Sequence, residues 1–308
     1  MRELERNHSS DTPPCTEAAL ESVAVVGRGR LGTALARALR DAGYAVAGPL
    51  ERDPEVGGAQ AVLLCVPDGE IAAAAAAIPA GVPVGHCSGA TGLAALAPHE
   101  AFSLHPLMTV TAAGADFAGA GAAIAGTTPR ALNLAAGLAD ALQMRAVQIS
   151  DGDRAAYHAA ASIASNFVIT LAAAAERLAT SAGADRALLV PLVRATVENW
   201  ATLDAERALT GPVARGDELT VAHQRSAIAE RAEDLLPLFD ALVDATRVLA
   251  GRPAAVAQAP AGVAGTDPTG RATVAQAPAG VAGTDATGRE ANAPEPPTEV
   301  DRARMALA

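Results

Sequence analysis

Hydrophobic and polar positions follow two rhythms along this chain, and the change comes near residue 150. Before it, short unbroken apolar runs alternate with stretches of helical period. After it, apolar residues recur at helical spacing over long distances with almost no strand signal. Val23-Ala-Val-Val26 is the first run, and Ala61-Val-Leu-Leu-Cys-Val66 is the clearest, closed by Pro67-Asp68. Runs without polar alternation belong to strands buried on both faces, as in a parallel sheet. Residues 44–47, stopping at Gly48-Pro49, and 82–87 are predicted as further strands, with weaker signals at 101–104 and 121–124. Helical patterns occupy 33–40 and 72–77. The alternation predicts an α/β fold built on a doubly wound parallel sheet. Beyond it the pattern predicts helices at 154–182, at 185–202 with Pro191 inside, and from the end of a Gly/Pro loop at 210–217 to about 249. The expected organisation is a disordered lead over 1–20, an α/β domain over 21–150, an all-helical C-terminal domain over 151–251 and a disordered tail over 252–308. The lead is polar and holds Pro13-Pro14, and in the tail the Gly/Pro/Ala-rich segment 256–270 recurs almost unchanged at 274–288. Such a composition buries too little surface to offset the entropy of ordering.

The first apolar run ends in Gly27-Arg28-Gly29-Arg30-Leu31-Gly32, and a helical pattern follows. In that setting G-x-G-x-x-G is a dinucleotide-binding turn: Gly27 allows the turn, Gly29 lets backbone approach a pyrophosphate, and Gly32 lets helix and strand pack closely. The phosphates then meet free N–H groups and the positive end of the helix dipole. Ligands in open α/β sheets bind outside the carboxyl ends of strands, so Val66, Pro67 and Ser88 are further expected cofactor contacts. An NAD site expects an acidic residue at the end of the second strand, where this chain has Gly48-Pro49 and then Glu51 and Arg52. Arg28, Arg30 and Arg52 suit an additional 2′-phosphate, which favours NADP, while Glu51 keeps NAD open.

Composition narrows the chemistry. A formal charge of −11 disfavours a nucleic-acid partner. Every basic residue is Arg, so Schiff-base chemistry and a lysine acid or base are excluded. Cys15, Cys65 and Cys87 have no metal-ligand spacing, so neither a zinc site nor a disulfide framework is indicated. The charged start and the polar residues that interrupt the apolar stretches predict a soluble, cytoplasmic protein with no membrane span.

Three groups of residues are candidates for a reaction. His158, Ser162, Asn166 and Thr170 recur at four-residue steps and form one winding polar stripe on an otherwise apolar helix, which suits a helix facing a substrate cleft. His86 and His105 lie at strand ends, where a nicotinamide would arrive. Arg215 and Asp217, in the Gly/Pro loop, are placed to bind and orient a carboxylate or to pair with each other, and His223 on the following helix is a candidate for the same place.

Gly27-Arg-Gly-Arg-Leu-Gly32, Val66-Pro-Asp68, His86-Cys-Ser-Gly-Ala90, Ser103-Leu-His-Pro-Leu107, Tyr157-His-Ala-Ala-Ala-Ser-Ile-Ala-Ser-Asn166 and Leu209-Thr-Gly-Pro-Val-Ala-Arg-Gly-Asp217 together resemble the bacterial Rossmann-like proteins that carry the domain of unknown function DUF2520. The resemblance implies a Rossmann domain followed by an all-helical domain like that of 6-phosphogluconate dehydrogenase, ketopantoate reductase and pyrroline-5-carboxylate reductase, and a homodimer formed through it. Many relatives place a catalytic lysine one turn before an asparagine on the first helix of that domain. With Asn166 matched to that asparagine, Ser162 stands at the lysine position, and His158 or His105 must donate the proton. The function implied is an NAD(P)-dependent oxidoreductase transferring hydride to the carbonyl of a small oxo acid, ketopantoate in the first instance. An imine reductase of the pyrroline-5-carboxylate type and a non-catalytic NADP-binding sensor or scaffold are the alternatives.

Overall fold

Val23, Val25 and Leu63 belong to a core on one side of a sheet and Ala24, Val26, Val62 and Leu64 to a core on the other, all of them buried. This explains why their runs are unbroken: both faces of the sheet are covered. The computed structural model describes residues 20–51 and 54–253. Its first part runs β1 (Ser22–Val26), α1 (Arg30–Asp41), β2 (Ala45–Leu50), β3 (Ala61–Leu64), a 3₁₀ turn (Asp68–Glu70), α2 (Ile71–Ala76), β4 (Val84–His86), a second 3₁₀ turn (Leu93–Leu96), β5 (Ala101–Leu107), β6 (Gly121–Gly126), α3 (Pro129–Ala141) and β7 (Arg145–Gln148). The strands form one sheet in the order β2-β1-β3-β4-β5-β6-β7. Leu35 and Leu39 of α1 and Leu138 of α3 pack on one face, and Ile71 and Ala75 of α2 on the other. The order reverses between β1 and β3, so the carboxyl ends of these strands form the crevice where such sheets take ligands.

The sheet departs from the expected one in three places. β2 continues through Gly48-Pro49 to Leu50. It is an edge strand, where a missing N–H on the open side leaves no ladder bond unmade. β7 lacks a sequence signal because its four residues are all exposed. β6 runs antiparallel to β5, and β7 parallel to β6, so the sheet is mostly rather than wholly parallel. Register shows what the reversal does: His86 pairs with Ser103, Leu104 with Ile124, and Ile124 with Gln148. The chain therefore leaves β7 level with the carboxyl ends of the central strands.

From there it is helical: α4 (Arg154–Ser162), one π-helical turn (Ile163–Phe167) and α5 (Val168–Ser181) form a continuous helix, followed by α6 (Arg186–Thr202), α7 (Ala205–Ala208), α8 (Pro212–Arg215), α9 (Glu218–Arg231), a 3₁₀ turn (Glu233–Leu235) and α10 (Leu236–Leu249). Asp185 caps α6 by accepting the Ala187 N–H at 2.8 Å. The expected lead and tail lie outside the described residues except for Leu20, Arg252 and Pro253. Arg252 is held in place, its Nε donating to the Ala214 carbonyl.

The helix Arg154–Ser181 is long and apolar enough, by length and composition, to cross a membrane, with a mean hydropathy of 1.4 in its most apolar window, and none of that window is buried. The helix itself is the one expected over 154–182; the expectation of no membrane span rested on its scattered polar residues, which Ala, Ile and Leu outweigh in this measure of length and composition. Neither α5 nor α6 buries a single residue. Ile163, Phe167, Ile169, Leu188, Leu192 and Trp200 are all more than half exposed. A single chain thus leaves a broad apolar face uncovered.

Candidate active site

The glycine turn is built for close backbone approach. Gly27 has φ +113°, and a Cβ there would stand 2.3 Å from the Cys65 carbonyl oxygen. At Gly32 a Cβ would stand 1.9 Å from the Gly27 oxygen, so both must be glycine for the strand, turn and helix to fit. Gly29 has nothing within 4 Å of the corresponding point, and that open side faces a cleft of about 630 Å³. Val26, Gly27, Arg28, Gly29, Glu51, Cys65, Val66 and Pro67 are among its lining residues. The size suits a small ligand or one half of a dinucleotide, and Gly29 leads into the N-terminus of α1. These residues fit a dinucleotide. Arg28 forms an ion pair with Glu51 at the mouth. Arg30 starts α1 and is exposed, and Leu31 packs against the sheet core, so neither lines the cleft. Arg52 lies outside the described residues. The Ser88 hydroxyl accepts the N–H groups of Ala90 and Thr91, so it shapes the turn after β4.

The second group gathers at the ends of β4 and β5. His105 Nδ1 and the Tyr157 hydroxyl are hydrogen-bonded at 2.8 Å. His158 lies edge-on to His105 with ring centroids 6.3 Å apart. A Cβ on Gly89 would stand 2.8 Å from His105 Cε1 and 2.9 Å from His158 Cδ2, so the absence of a side chain at Gly89 makes room for both rings. Arg154 places Tyr157 and His158 there. It is buried, and its guanidinium donates to Asp151 at 2.8 Å, to Ser103 Oγ at 2.5 Å and to the Ser88 carbonyl at 3.4 Å. Asp151 in turn accepts the Leu93 N–H at 3.0 Å. The first turn of the long helix is thereby fixed to the carboxyl ends of two strands.

Electrostatics follow from that geometry. Burial, then the neighbouring His158 and Arg154, push His105 down to about 4. Burial and Arg154 push His86 down to about 4 as well. Burial raises the Tyr157 hydroxyl above its usual range. Burial opposes ionisation of Asp151, yet the hydrogen bonds from Arg154 and Leu93 outweigh it and hold the carboxyl below the ordinary carboxylate range. At neutral pH the His105–Tyr157 pair is therefore uncharged and holds two acidic protons, the tyrosine O–H and one imidazole N–H. The charge of Asp68, just past the cleft residue Pro67, opposes the lowering of both histidines without offsetting it.

The rest of the expected stripe is not in a cleft of this chain. Ser162 is half-buried, whereas His158, Asn166 and Thr170 are exposed. Asn166 sits in the π turn, and its carbonyl accepts the Thr170 hydroxyl at 3.1 Å. Asp217 caps α9, accepting the Thr220 N–H and hydroxyl, with Arg215 and His223 near enough to lower its pKa slightly further. These three residues come together, but α8 packs on α9 and α10 rather than on the sheet. Arg215 and His223 are exposed. Tyr157 was missed as a site residue because four-residue spacing selects His158 and passes over its neighbour. Arg154 was missed because one Arg at a helix start reads as surface.

With the strand-end cluster fed by the segment that follows β5, the comparison with known families becomes specific. Residues 120–246 match the model of the domain of unknown function DUF2520. The DUF2520 match begins at the start of β6 rather than at the first helix, so the antiparallel edge of the sheet is included with the helices. A search of the curated proteins finds no match. Among solved structures, a Bacteroides fragilis protein described as an NADP oxidoreductase is similar with a TM-score of 0.65 at 19% identity, over 75% of this chain and 98% of that one. Protein TM1727 of Thermotoga maritima is similar at 0.60 and 25% identity, over 74% and 98%. An imine reductase of Streptomyces aurantiacus is similar at 0.57 and 18% identity, over 74% and 94%. The fold is thus that of a Rossmann sheet with a DUF2520-matching edge and helices.

Proposed function

We propose that this chain is an NADP-dependent reductase acting on a C=N or C=O bond of a small molecule. The observation that carries this reading is the uncharged His105–Tyr157 pair near the carboxyl end of β5, at the same end of the sheet as a glycine turn shaped for a dinucleotide. Bound nicotinamide supplies a hydride. Gly27, Gly29 and Gly32 hold the pyrophosphate, and Arg28 holds the 2′-phosphate once released from Glu51. Tyr157 donates its O–H to the substrate nitrogen or oxygen, and the His105 Nδ1 proton follows onto the tyrosine oxygen. His105 Nε2 takes up a proton from the exposed His158 side as the Nδ1 proton leaves, so the ring stays neutral throughout and the relay needs neither a lysine nor an imidazolium at His105.

Support for C=N as the bond reduced comes from fold relatives that are an imine reductase and, in Aspergillus terreus, a reductive aminase in complex with NADPH. A small oxo acid such as ketopantoate is the second reading, in which Arg215 holds the carboxylate. Because α8 does not pack on its own sheet and α5 and α6 expose their apolar residues, the proposed assembly is a homodimer formed through the helices.

The test is oxidation of NADPH by the purified chain with a cyclic imine of the pyrroline-5-carboxylate type, ketopantoate and other 2-oxo acids, with NADH in parallel. Turnover is expected with NADPH. Tyr157→Phe is expected to lower kcat by about 100-fold while leaving the NADPH Kd within about twofold. Tight NADPH binding without turnover on either class would replace this reading with a non-catalytic NADP-binding protein, and absence of binding would overturn the glycine turn as a cofactor site.

A further inference from the structure

We propose that Cys65 and Cys87 form a thiol pair that closes to a disulfide and, in closing, weakens dinucleotide binding. The second half of this inference rests on the cofactor reading above.

The two cysteines are the first residues beyond β3 and β4. The last paired row of those strands is Leu64 with His86, so Cys65 and Cys87 occupy the next row of the same parallel register. The Cys87 N–H donates to the Leu64 carbonyl at 3.1 Å, which holds that row in place. Neighbouring strands lie about 4.8 Å apart, within the range of Cα separations that a disulfide spans. The sulfur atoms are 3.7 Å apart, so bonding draws them together to about 2.05 Å.

Access and roles differ between the two. Cys65 is half-buried and is among the residues that line the dinucleotide cleft, whereas Cys87 is buried. The hydrogen bond with Cys65 and burial hold the Cys87 thiol well above its ordinary range, so it remains protonated. A hydroperoxide entering the cleft meets Cys65 first. The Cys65 thiol takes one oxygen atom to become a sulfenic acid, and the peroxide leaves as the alcohol, or as water from hydrogen peroxide. The Cys87 sulfur then displaces the sulfenic hydroxyl, its own proton leaving with that hydroxyl as water. Two thiols thereby supply the two electrons that reduce one peroxide.

Coupling to the cofactor is steric. The glycine turn has no slack against Cys65: a Cβ on Gly27 would stand 2.3 Å from the Cys65 oxygen, and one on Gly32 would stand 3.2 Å from the Cys65 Cβ. The Cys65 N–H is also bonded to the Val26 carbonyl at 2.7 Å, at the end of the strand that enters the turn. Pulling Cys65 toward Cys87 therefore moves the surface on which the phosphate-binding backbone rests.

The experiment treats the full chain with hydrogen peroxide, maps the cysteine peptides by mass, and titrates NADPH into the reduced and oxidised forms. Expected are a Cys65–Cys87 linked peptide lighter by two hydrogens, its reversal by dithiothreitol, and an NADPH Kd at least tenfold weaker in the oxidised form. Linkage requires the converse: saturating NADPH makes the pair harder to oxidise by the same tenfold, about 30 mV for two electrons. Cys87→Ala is expected to bind NADPH like the reduced chain before and after peroxide, with Cys65 trapped as sulfenic acid by dimedone. A linkage that involves Cys15 instead, a Cys65–Cys87 linkage that leaves the Kd unchanged, or a Cys87→Ala protein that loses affinity equally on oxidation would overturn the proposal. Failure of the reduced chain to bind NADPH would instead overturn the cofactor reading and the gating built on it, while peptide masses still decide the disulfide.

Discussion

Arg154 shows how one buried side chain determines the chemistry of its neighbours. Its charge is matched by Asp151, yet it still disfavours protonation of His86 and His105. Both histidines have folded pKa values near 4 against about 6.5 when unfolded. Between those values the unfolded chain binds more protons than the native one, so acid favours unfolding. The stability from keeping each ring neutral is of order 3 kcal/mol, is fully present above pH 6.5 and is lost as pH falls through about 4. Denaturant midpoints are accordingly expected to fall steadily from pH 6.5 to 4.5, and a flat profile would show that the rings are not buried neutral. At the mouth of the cleft, Glu51 is paired with Arg28, the residue proposed to hold a 2′-phosphate. Glu51→Gln is expected to tighten NADPH several-fold and leave NADH unchanged or weaker, as read from paired fluorescence titrations.

Elements were legible in the sequence where their signal is local. The run 61–66 and the glycine turn declare strand, turn and helix within a dozen residues, because unbroken burial and positive φ each restrict which residues fit. Strand direction has no such signature, so the reversal at β6 went unread, and the exposed Arg145-Ala-Val-Gln of β7 carried no apolar pattern at all. His105 and Tyr157 lie 52 residues apart, and only the docking of the helix brings them together. The π turn is a second feature that periodicity could not show. Each residue of a wider turn advances through a smaller angle, so Ile163–Phe167 opposes the drift that four-residue steps accumulate in an α-helix. Deleting Ala164 would restore α-helical winding and remove the wide turn on which Asn166 sits, with α5 kept at nearly its present rotation, because five residues of a π turn sweep about the angle of four α-helical ones. Helix content by circular dichroism is expected to remain unchanged while turnover is lost; full activity in that variant would remove any role for the π turn.

At the scale of the whole molecule, the uncovered face of α5 and α6 is the largest unbalanced feature. Trp200 is 62% exposed in the single chain, so replacing it cannot harm that chain's own core. Trp200→Glu is expected to convert a two-chain species into a one-chain species by light scattering, with activity falling alongside. An unchanged mass would move the proposed contact off α6.

The reversal of β6 and β7 also bears on the order of assembly. The strand pairings of β1 to β4 close shorter stretches of chain than the bonds of Arg154, which reach Ser88 across 66 residues and Ser103 across 51, so those strands can pair while the rest of the chain is still unstructured. Arg154 finds Ser88, Ser103 and Asp151 only after β5 is paired and β7 has brought the chain back to the level of Gln148. Until then its guanidinium is solvated and the imidazole of His105 has no tyrosine beside it. On the proposed function, the His105–Tyr157 relay is then a late event in folding, completed when the final strand is laid, and a chain caught before that stage is expected to bind nucleotide without turning over.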